Sequence, residues 1–110
     1  MISHFGTVVF AGGNYSRSSG SSNWKVQPIP GFGAPVGPPL GQVRVEFEQP
    51  LTTGYTVIIS PERNESAPML CANYGGTDDH KGFSVHLFEP VSTRTLQNGN
   101  FSFLVMTQDA

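Results

Sequence analysis

The stretch Gln42–Glu48, Q-V-R-V-E-F-E, decides the fold class, because its apolar residues occupy every second position. Successive side chains of a β-strand point to opposite faces, so Val43, Val45 and Phe47 share one face. An apolar face opposite a polar one is typical of antiparallel sheets, in which one face is buried and the other is exposed to solvent. The residues predicted on the exposed face are Gln42, Arg44, Glu46 and Glu48.

The same alternation recurs in three later segments, and no segment has the period of a helix. The alternating apolar residues are Tyr55, Val57 and Ile59, then Phe83, Val85 and Leu87, then Phe101, Phe103 and Val105. Strands are predicted at about 42–49, 54–60, 68–74, 82–88 and 100–107. Turn-forming residues follow each of the first three and predict sequential hairpins. Short strands without helices predict an all-β protein, an antiparallel β-sandwich of about six to seven strands.

The chain of 110 residues predicts a single domain, 1–110, with its sandwich core at 42–107. Phe5–Ala11 is predicted to be an N-terminal strand, and the Gly- and Ser-rich segment Gly12–Asn23 a long, mobile, exposed loop. Trp24–Gln27 is predicted to be a brief strand or an anchor.

The segment Pro28–Gly41 carries five prolines and excludes a central strand, because proline lacks a ladder donor. Its apolar residues favour an extended segment laid over the sandwich or into a neighbouring subunit. The alternative is that this segment is a PxxP ligand for a signalling domain.

The last strand, Phe101–Met106, is apolar on both faces after Ser102. Such a strand is predicted to be central in its sheet or covered by another subunit. In a homo-oligomer it would line the symmetry axis, so self-association is expected.

Charge and composition exclude several partners. The net charge is −2, and the six Lys and Arg residues are scattered singly, so no basic groove for nucleic acid is predicted. No apolar run is long enough to span a membrane, and no signal peptide is visible. Low charge and many Gly, Pro and Ser residues are typical of a turn-rich β protein or of an assembly subunit, and a virion or extracellular location would explain this composition equally well.

The residues do not predict an enzyme. Cys71 has apolar neighbours and no adjacent cation, which favours a buried structural thiol over a nucleophile. Glu46 and Glu48 lie on one strand face at a spacing that would suit a glycosidase pair, but alternate carboxylates are common on exposed strand faces. Neither a convergent acid–base set nor a cofactor loop is present, so no cofactor is predicted.

Four segments resemble the H-type lectin-like domains of agglutinins and phage tail-fibre receptor-binding tips. They are G-Q-V-R-V-E-F-E-Q-P-L at 41–51, Y-T-V-I-I-S at 55–60, K-G-F-S-V-H-L at 81–87 and N-F-S-F-L-V-M-T at 100–107. The resemblance covers core positions of about residues 41–107. It departs from the family pattern at Phe103, where the family often has Trp, and at Gly54-Tyr55. The resemblance implies a six-stranded antiparallel sandwich, H-type lectin-like or jelly-roll-like, usually trimeric, that binds sugars between subunits.

Candidate binding residues concentrate in loops. Asp78-Asp79-His80 is the densest polar group and is interpreted as a ligand-binding loop, with a Ca²⁺ loop or a solvated hairpin tip as alternatives. Metal-ligand spacing is absent, so no metal site is predicted. Aromatic rings that stack on sugars, with polar groups that take the hydroxyls, make up a typical site. The predicted ligand-binding residues are Tyr74, Asp78, Asp79, His80, Trp24 and Arg63, with a core role as the alternative for Trp24.

The sequence thus favours a non-enzymatic carbohydrate- or receptor-binding module, a homo-oligomer (a homotrimer by resemblance) on a phage tail fibre or other virion. A structural virion subunit, as in a decoration, neck or baseplate protein, is the alternative, and a free-standing lectin is a third hypothesis. Function is expected in the loop Gly75–Lys81 rather than in a strand.

Overall fold

A computed structural model describes residues 1–27, 41–62, 70–77, 79–89 and 95–107. All regular structure in these residues is β. The strands are β1 (Ile2–Ala11), β2 (Asn14–Gly20), β3 (Trp24–Gln27), β4 (Gln42–Phe47), β5 (Tyr55–Pro61), β6 (Cys71–Gly75), β7 (Gly82–Glu89), β8 (Thr95–Leu96) and β9 (Phe101–Thr107). The predicted all-β class is confirmed, and within the described residues no helix is long and apolar enough to cross a membrane.

The strands form two antiparallel sheets around one core. Sheet A has the order β2-β1-β9-β5, and sheet B has the order β3-β4-β7-β6, with β8 paired to the far end of β7. The last strand, β9, is central in sheet A, as its apolar sequence predicts. The predicted strand count of six to seven is too low, because the N-terminal segment and residues 95–96 add short strands.

The segment Gly12–Asn23 is not the predicted loop. Asn14–Gly20 is an edge strand that pairs with β1 through a two-residue turn at Gly12-Gly13. Both glycines have positive φ, 60° and 84°, which this tight hairpin turn requires. The strand lacks large apolar residues because nearly all of it is exposed at the sheet edge, so the alternation of apolar residues could not indicate it.

Two of the three predicted hairpins are also wrong. β4 and β5 lie in different sheets, as do β5 and β6, and only β6 and β7 form a hairpin. The reason is that β4 pairs with β3 and β7, and β5 pairs with the distant β9. Turn residues show where the chain changes direction, but they do not show whether it returns to the same sheet. The segment Pro28–Gly41 lies outside the described residues, except for Gly41.

The core is built by the alternating residues of both sheets. Its fully or almost fully buried members are Val8, Trp24, Val43, Val45, Phe47, Val57, Phe83, Val85, Leu87, Phe101, Phe103 and Val105. All but Val8 and Trp24 belong to the four alternating segments of the sequence. Ring contacts tie the sheets together, with Phe103 of sheet A 5.3 Å from Phe83 and 4.8 Å from Trp24, both nearly perpendicular.

Trp24 joins the sheets at the β2–β3 edge. Its ring occupies the space beside Gly6 of β1, and its Nε1–H donates a 3.0 Å hydrogen bond to the Phe5 carbonyl. The Arg17 guanidinium lies 4.5 Å from the ring centroid, in cation–π contact, and donates to the Trp24 carbonyl. A Cβ at Gly6 would collide with the indole ring and with the Ser19 carbonyl. The tryptophan therefore requires glycine at position 6.

Replacement of Gly6 by alanine is expected to lower the free energy of unfolding by about 1–3 kcal/mol, because the methyl group overpacks the Trp24 site. Urea unfolding followed by tryptophan fluorescence measures the change. Gly54→Ala is the matched control, since a Cβ there meets no atom within 4 Å. Equal effects of the two substitutions would contradict the packing role of Gly6.

His4 is a buried histidine between the sheets. It is 4% exposed, its ring stacks on Phe47 at a centroid distance of 4.2 Å, and its Nδ1 lies 2.8 Å from the Ser3 hydroxyl. Burial lowers the pKa of His4 from its ordinary value, because the charged form loses water contacts. The neutral ring is therefore the form that the folded protein favours.

The free energy of unfolding is expected to fall as the pH falls below about 6.5, the ordinary histidine pKa. The unfolded chain takes up a proton on His4 there, whereas the folded chain does not until the pH reaches its lowered pKa. His4→Gln removes this titration, so the decrease between about pH 7.5 and about pH 5 should be smaller in the variant. Parallel pH profiles of urea stability in the wild type and the variant would refute the assignment.

The outer faces of the two sheets differ. The outer face of sheet A carries an apolar patch in its middle, formed by Ile2, Phe5, Ile58, Leu104 and Met106. Around it are small residues: Thr7, Val9, Ser16, Ser19, Thr56, Ser60 and Ser102. On sheet B, by contrast, Gln42 and Arg44 are 8% and 7% exposed. The prediction that both are exposed is wrong, and for Arg44 the reason is a loop that folds over it.

Candidate functional site

Three connections meet at one end of the sandwich. They are the β2–β3 connection, the β4–β5 connection at 48–54, and the β6–β7 loop at 76–81, of which Asp78 lies outside the described residues. Backbone N–H groups tie them together: Phe47 donates to Lys81, Glu48 to Asn23 and Leu51 to His80, over 2.7–3.0 Å. The 76–81 loop is therefore held by the strands and loops beside it.

Arg44 anchors the 76–81 loop on the outer face of sheet B. Its Nη2 lies 3.2 and 3.1 Å from the two carboxylate oxygens of Asp79, and its Nη1 donates to the Gly76 carbonyl at 3.2 Å. Gly76 has a φ of 68°, and a Cβ there would approach Nη1 to 3.3 Å. The loop thus wraps the guanidinium closely, which is why an arginine in mid-strand is buried.

Asp79 is held on both sides. Its Oδ1 accepts a 2.9 Å hydrogen bond from the Lys81 N–H, and its carboxylate receives the Arg44 guanidinium. The pKa of Asp79 is lowered, first by the Lys81 hydrogen bond and then by the positive charge of Arg44. The side chain is about half exposed, so it still contacts solvent. Asp79 is consequently an ionised loop anchor that retains an open side.

His80 occupies the turn of the loop. It has a φ of 57°, in the left-handed region that non-glycine residues rarely adopt. Its Nδ1 lies 3.2 Å from the Leu51 carbonyl, and because a carbonyl only accepts, Nδ1 carries the proton. In the neutral ring, Nε2 is then an acceptor. Two contacts to Leu51, one from the ring and one from the backbone, hold His80 in this conformation.

Tyr55 supports the loop from below. Its hydroxyl donates a 2.6 Å hydrogen bond to the Gly82 carbonyl, at the point where β7 begins, and lies 3.5 Å from the Thr77 carbonyl. Its ring packs edge to face on His80 at 6.1 Å and on Phe47 at 5.4 Å. The tyrosine connects the loop to the core.

Tyr74 has the exposed aromatic ring near this loop. It lies on the edge strand β6, two residues before Gly76, and is 40% exposed. One side of the ring packs against Phe83 at a centroid distance of 6.4 Å. Part of the side chain is therefore open to contact with a ligand.

Two of the six predicted site residues, Asp79 and His80, lie in the same held loop, and Tyr74 lies two residues before it. Tyr74 is opposite the core residue Val85 and so belongs to the core-facing side of β6, whereas Asp79 binds Arg44 on the outer face. Trp24 does not belong to the site: it is 2% exposed, so its ring is a core element and the proposed stacking role is wrong. Asp78 and Arg63 lie outside the described residues. Arg44 and Tyr55 were missed because the alternation of apolar and polar residues placed Arg44 on a solvent-exposed face and Tyr55 in the core.

A second polar network, at the opposite end of the sandwich, is structural. The Asn98 Oδ1 accepts hydrogen bonds from the Gly41 N–H at 2.7 Å and the Tyr15 hydroxyl at 3.2 Å. Asn100 accepts from the Phe10 N–H and donates to Glu62. The Tyr15 ring packs on Phe10 at a centroid distance of 5.0 Å. Burial raises the pKa of Tyr15, although the Gly99 N–H partly opposes the shift.

The described residues contain no group of three His, Cys, Asp or Glu side chains arranged to hold a metal ion. Comparison with protein-family models, with curated proteins and with solved structures found no match. The likeness to H-type lectin-like domains therefore stays a prediction from core positions, and the chemistry of the site rests on its own geometry.

The Arg44–Asp79 pair is expected to have a coupling energy of about 1 kcal/mol, between the values of exposed and buried pairs. A double-mutant cycle of Arg44→Met, Asp79→Asn and both, measured by urea unfolding, gives this value. The exposed Glu62–Asn100 contact is the matched control, and Glu62→Gln with Asn100→Ala should couple by less than about 0.5 kcal/mol. Additive effects at Arg44 and Asp79 would show that the guanidinium does not anchor the loop.

Proposed function

We propose that this chain is a non-enzymatic carbohydrate- or receptor-binding module and that its ligand binds at Tyr74 and the 76–81 loop. The single observation that supports this most directly is an exposed tyrosine ring beside a loop held by a buried arginine. Sugars bind proteins by stacking their C–H faces on aromatic rings while polar groups take the hydroxyls.

The polar groups of the loop are suited to hydroxyl ligands. The half-exposed Asp79 carboxylate accepts hydrogen bonds, and the His80 ring, whose Nδ1 contacts the Leu51 carbonyl, has Nε2 left as a further polar atom. Because Arg44, Tyr55 and Leu51 already hold these residues, a ligand would not have to order the loop. Binding to a pre-ordered loop avoids part of the entropic cost of association.

The proposal agrees with the sequence-based prediction of an H-type lectin-like or jelly-roll-like sandwich. In such a protein the ligand would be a cell-surface glycan, and the location would be a virion, as in a phage tail fibre, or another extracellular surface. No metal or cofactor enters the proposal, because the aromatic ring and the loop acceptors supply the recognition.

A glycan array is the first test, followed by titration with any glycan that binds. Tyr74→Ala should weaken binding at least about tenfold, because it removes the stacking surface. Tyr74→Phe keeps the ring and should retain most of the affinity. Lys25→Ala, on the exposed edge strand of the same sheet, is the matched control.

Thermal melting of each variant checks that the fold is intact. A glycan that binds equally well to the wild type and to Tyr74→Ala would place the site elsewhere. An array without any binding would favour the second candidate function.

That second candidate is a structural subunit of a virion or similar assembly, without a soluble ligand. It is supported by a different observation, the uncharged outer face of sheet A with its apolar patch. Large exposed apolar patches are rare on monomeric soluble proteins, and they mark interaction sites.

A further inference from the structure

We propose that the outer face of sheet A binds the same face of a second copy of this chain, so that two sandwiches pair about a twofold axis. This inference goes beyond the proposed glycan site, which lies on sheet B and its loop, and it does not depend on that site.

The apolar patch in the middle of the face is continuous across three strands. Phe5 of β1, Leu104 of β9 and Ile58 of β5 lie directly opposite one another in the antiparallel registers. Ile2 and Met106 form the adjoining row. Phe5, Ile58 and Ile2 are 47%, 50% and 51% exposed, whereas large apolar residues of a solvated sheet face are normally isolated.

The rim of the face is polar along the paired strands, and among the described residues charged groups lie only beyond the strand ends, at the Met1 ammonium group and Glu62. Thr7 and Ser102 lie opposite each other with hydroxyl oxygens 2.9 Å apart, and Ser19, Thr56 and Ser60 lie farther out. An apolar centre with a polar rim, and without charge at the centre, is the anatomy of a protein–protein interface. The outward positions of the paired strands carry no Asp, Glu, Lys or Arg, although these residues make up 13% of the chain.

The area is sufficient for a weak, specific dimer. Four strands about 4.8 Å apart and about 24 Å long give a flat footprint of roughly 450 Å² per copy. Because side chains corrugate the surface, two copies would bury at least about 900 Å², above most crystal contacts and within the range of weak specific complexes. A dissociation constant in the micromolar range is therefore expected.

A second copy fits this face better than other partners. Nucleic acid and anionic membrane surfaces attract Lys and Arg, and the face has neither. A charged protein partner would have to lose the hydration of its charges without compensation. A copy of the same face presents apolar residues and hydroxyls in matching proportions, and a surface that pairs with itself gives a closed twofold dimer.

The face also contains a shallow groove that could accept a side chain of the second copy. It has a volume of about 400 Å³, and its lining includes Phe5, Thr7, Ser19, Ser102 and Leu104. The groove adjoins the apolar patch near the middle of the face. In a twofold pair the protruding Phe5 ring of one copy would face the groove of the other.

Sedimentation equilibrium of the full chain from about 1 to about 200 µM tests the proposal and should show a monomer–dimer equilibrium. Ile58→Lys, which places a charge at the centre of the interface, should raise the dissociation constant at least about thirtyfold. Asn73→Lys, at an exposed position on the outer face of β6, adds the same charge to the other sheet and should leave the constant unchanged. Thermal melting confirms that both variants are folded.

Two further measurements locate the contact independently of stability. The dissociation constant should change less than about twofold between about 50 and about 500 mM NaCl, because no charges meet. In a Cys71→Ser background, Leu104→Cys should form an interchain disulfide on mild oxidation, since residue 104 lies near the centre of the face, where the twofold axis passes.

A monomer at the highest concentration, a trimer, or a dimer unaffected by Ile58→Lys would each overturn the proposal. The trimer that the lectin resemblance implies would require contacts between different surfaces, so the stoichiometry separates the two arrangements. Failure of the Tyr74 experiment would leave this result unaffected.

Discussion

The packing of Trp24 beside Gly6 is the constraint on which the arrangement of the two sheets depends. Trp24 belongs to sheet B, but its ring fills space that sheet A provides by having no side chain at position 6. The Nε1–H bond to the Phe5 carbonyl fixes the indole, and Arg17 covers it at the sheet edge. Because interiors are packed as densely as crystals, an indole ring of this size can occupy only the place made for it.

This constraint also explains the order of the N-terminal strands. β2 must come close to β1 at Gly20, where a Cβ would meet the Phe5 carbonyl and the Gly6 Cα, before the chain crosses to β3. The crossing places Trp24 opposite Phe47 in the register of sheet B. Phe47 in turn contacts His4, Tyr55 and Phe83, so aromatic contacts continue from the β2–β3 edge to the loop end of the sandwich.

The buried Arg44 holds the 76–81 loop in place. Arg44 costs free energy to desolvate, and this cost is offset by Asp79 and the Gly76 carbonyl. The result is a surface loop with a defined shape, which carries His80 in a strained backbone conformation and follows the exposed Tyr74 in the chain. The outer face of sheet A differs, because the outward positions of its paired strands carry no charged residue. The two sheets therefore offer surfaces for different kinds of partner.

The fold class and most of the core could be predicted from the sequence, because alternation with a period of two is a local property of each strand. The sequence also located the 76–81 loop, where turn residues, carboxylates and a histidine are adjacent in the chain. Only the tertiary structure decided that Asn14–Gly20 is a strand, since an exposed edge strand needs no apolar residues. The tertiary structure alone also showed that successive strands change sheets, that Trp24 is core rather than site, and that Arg44 anchors the loop. Each of these depends on contacts between residues far apart in sequence, and no local pattern of residue types encodes which distant surface a side chain will meet.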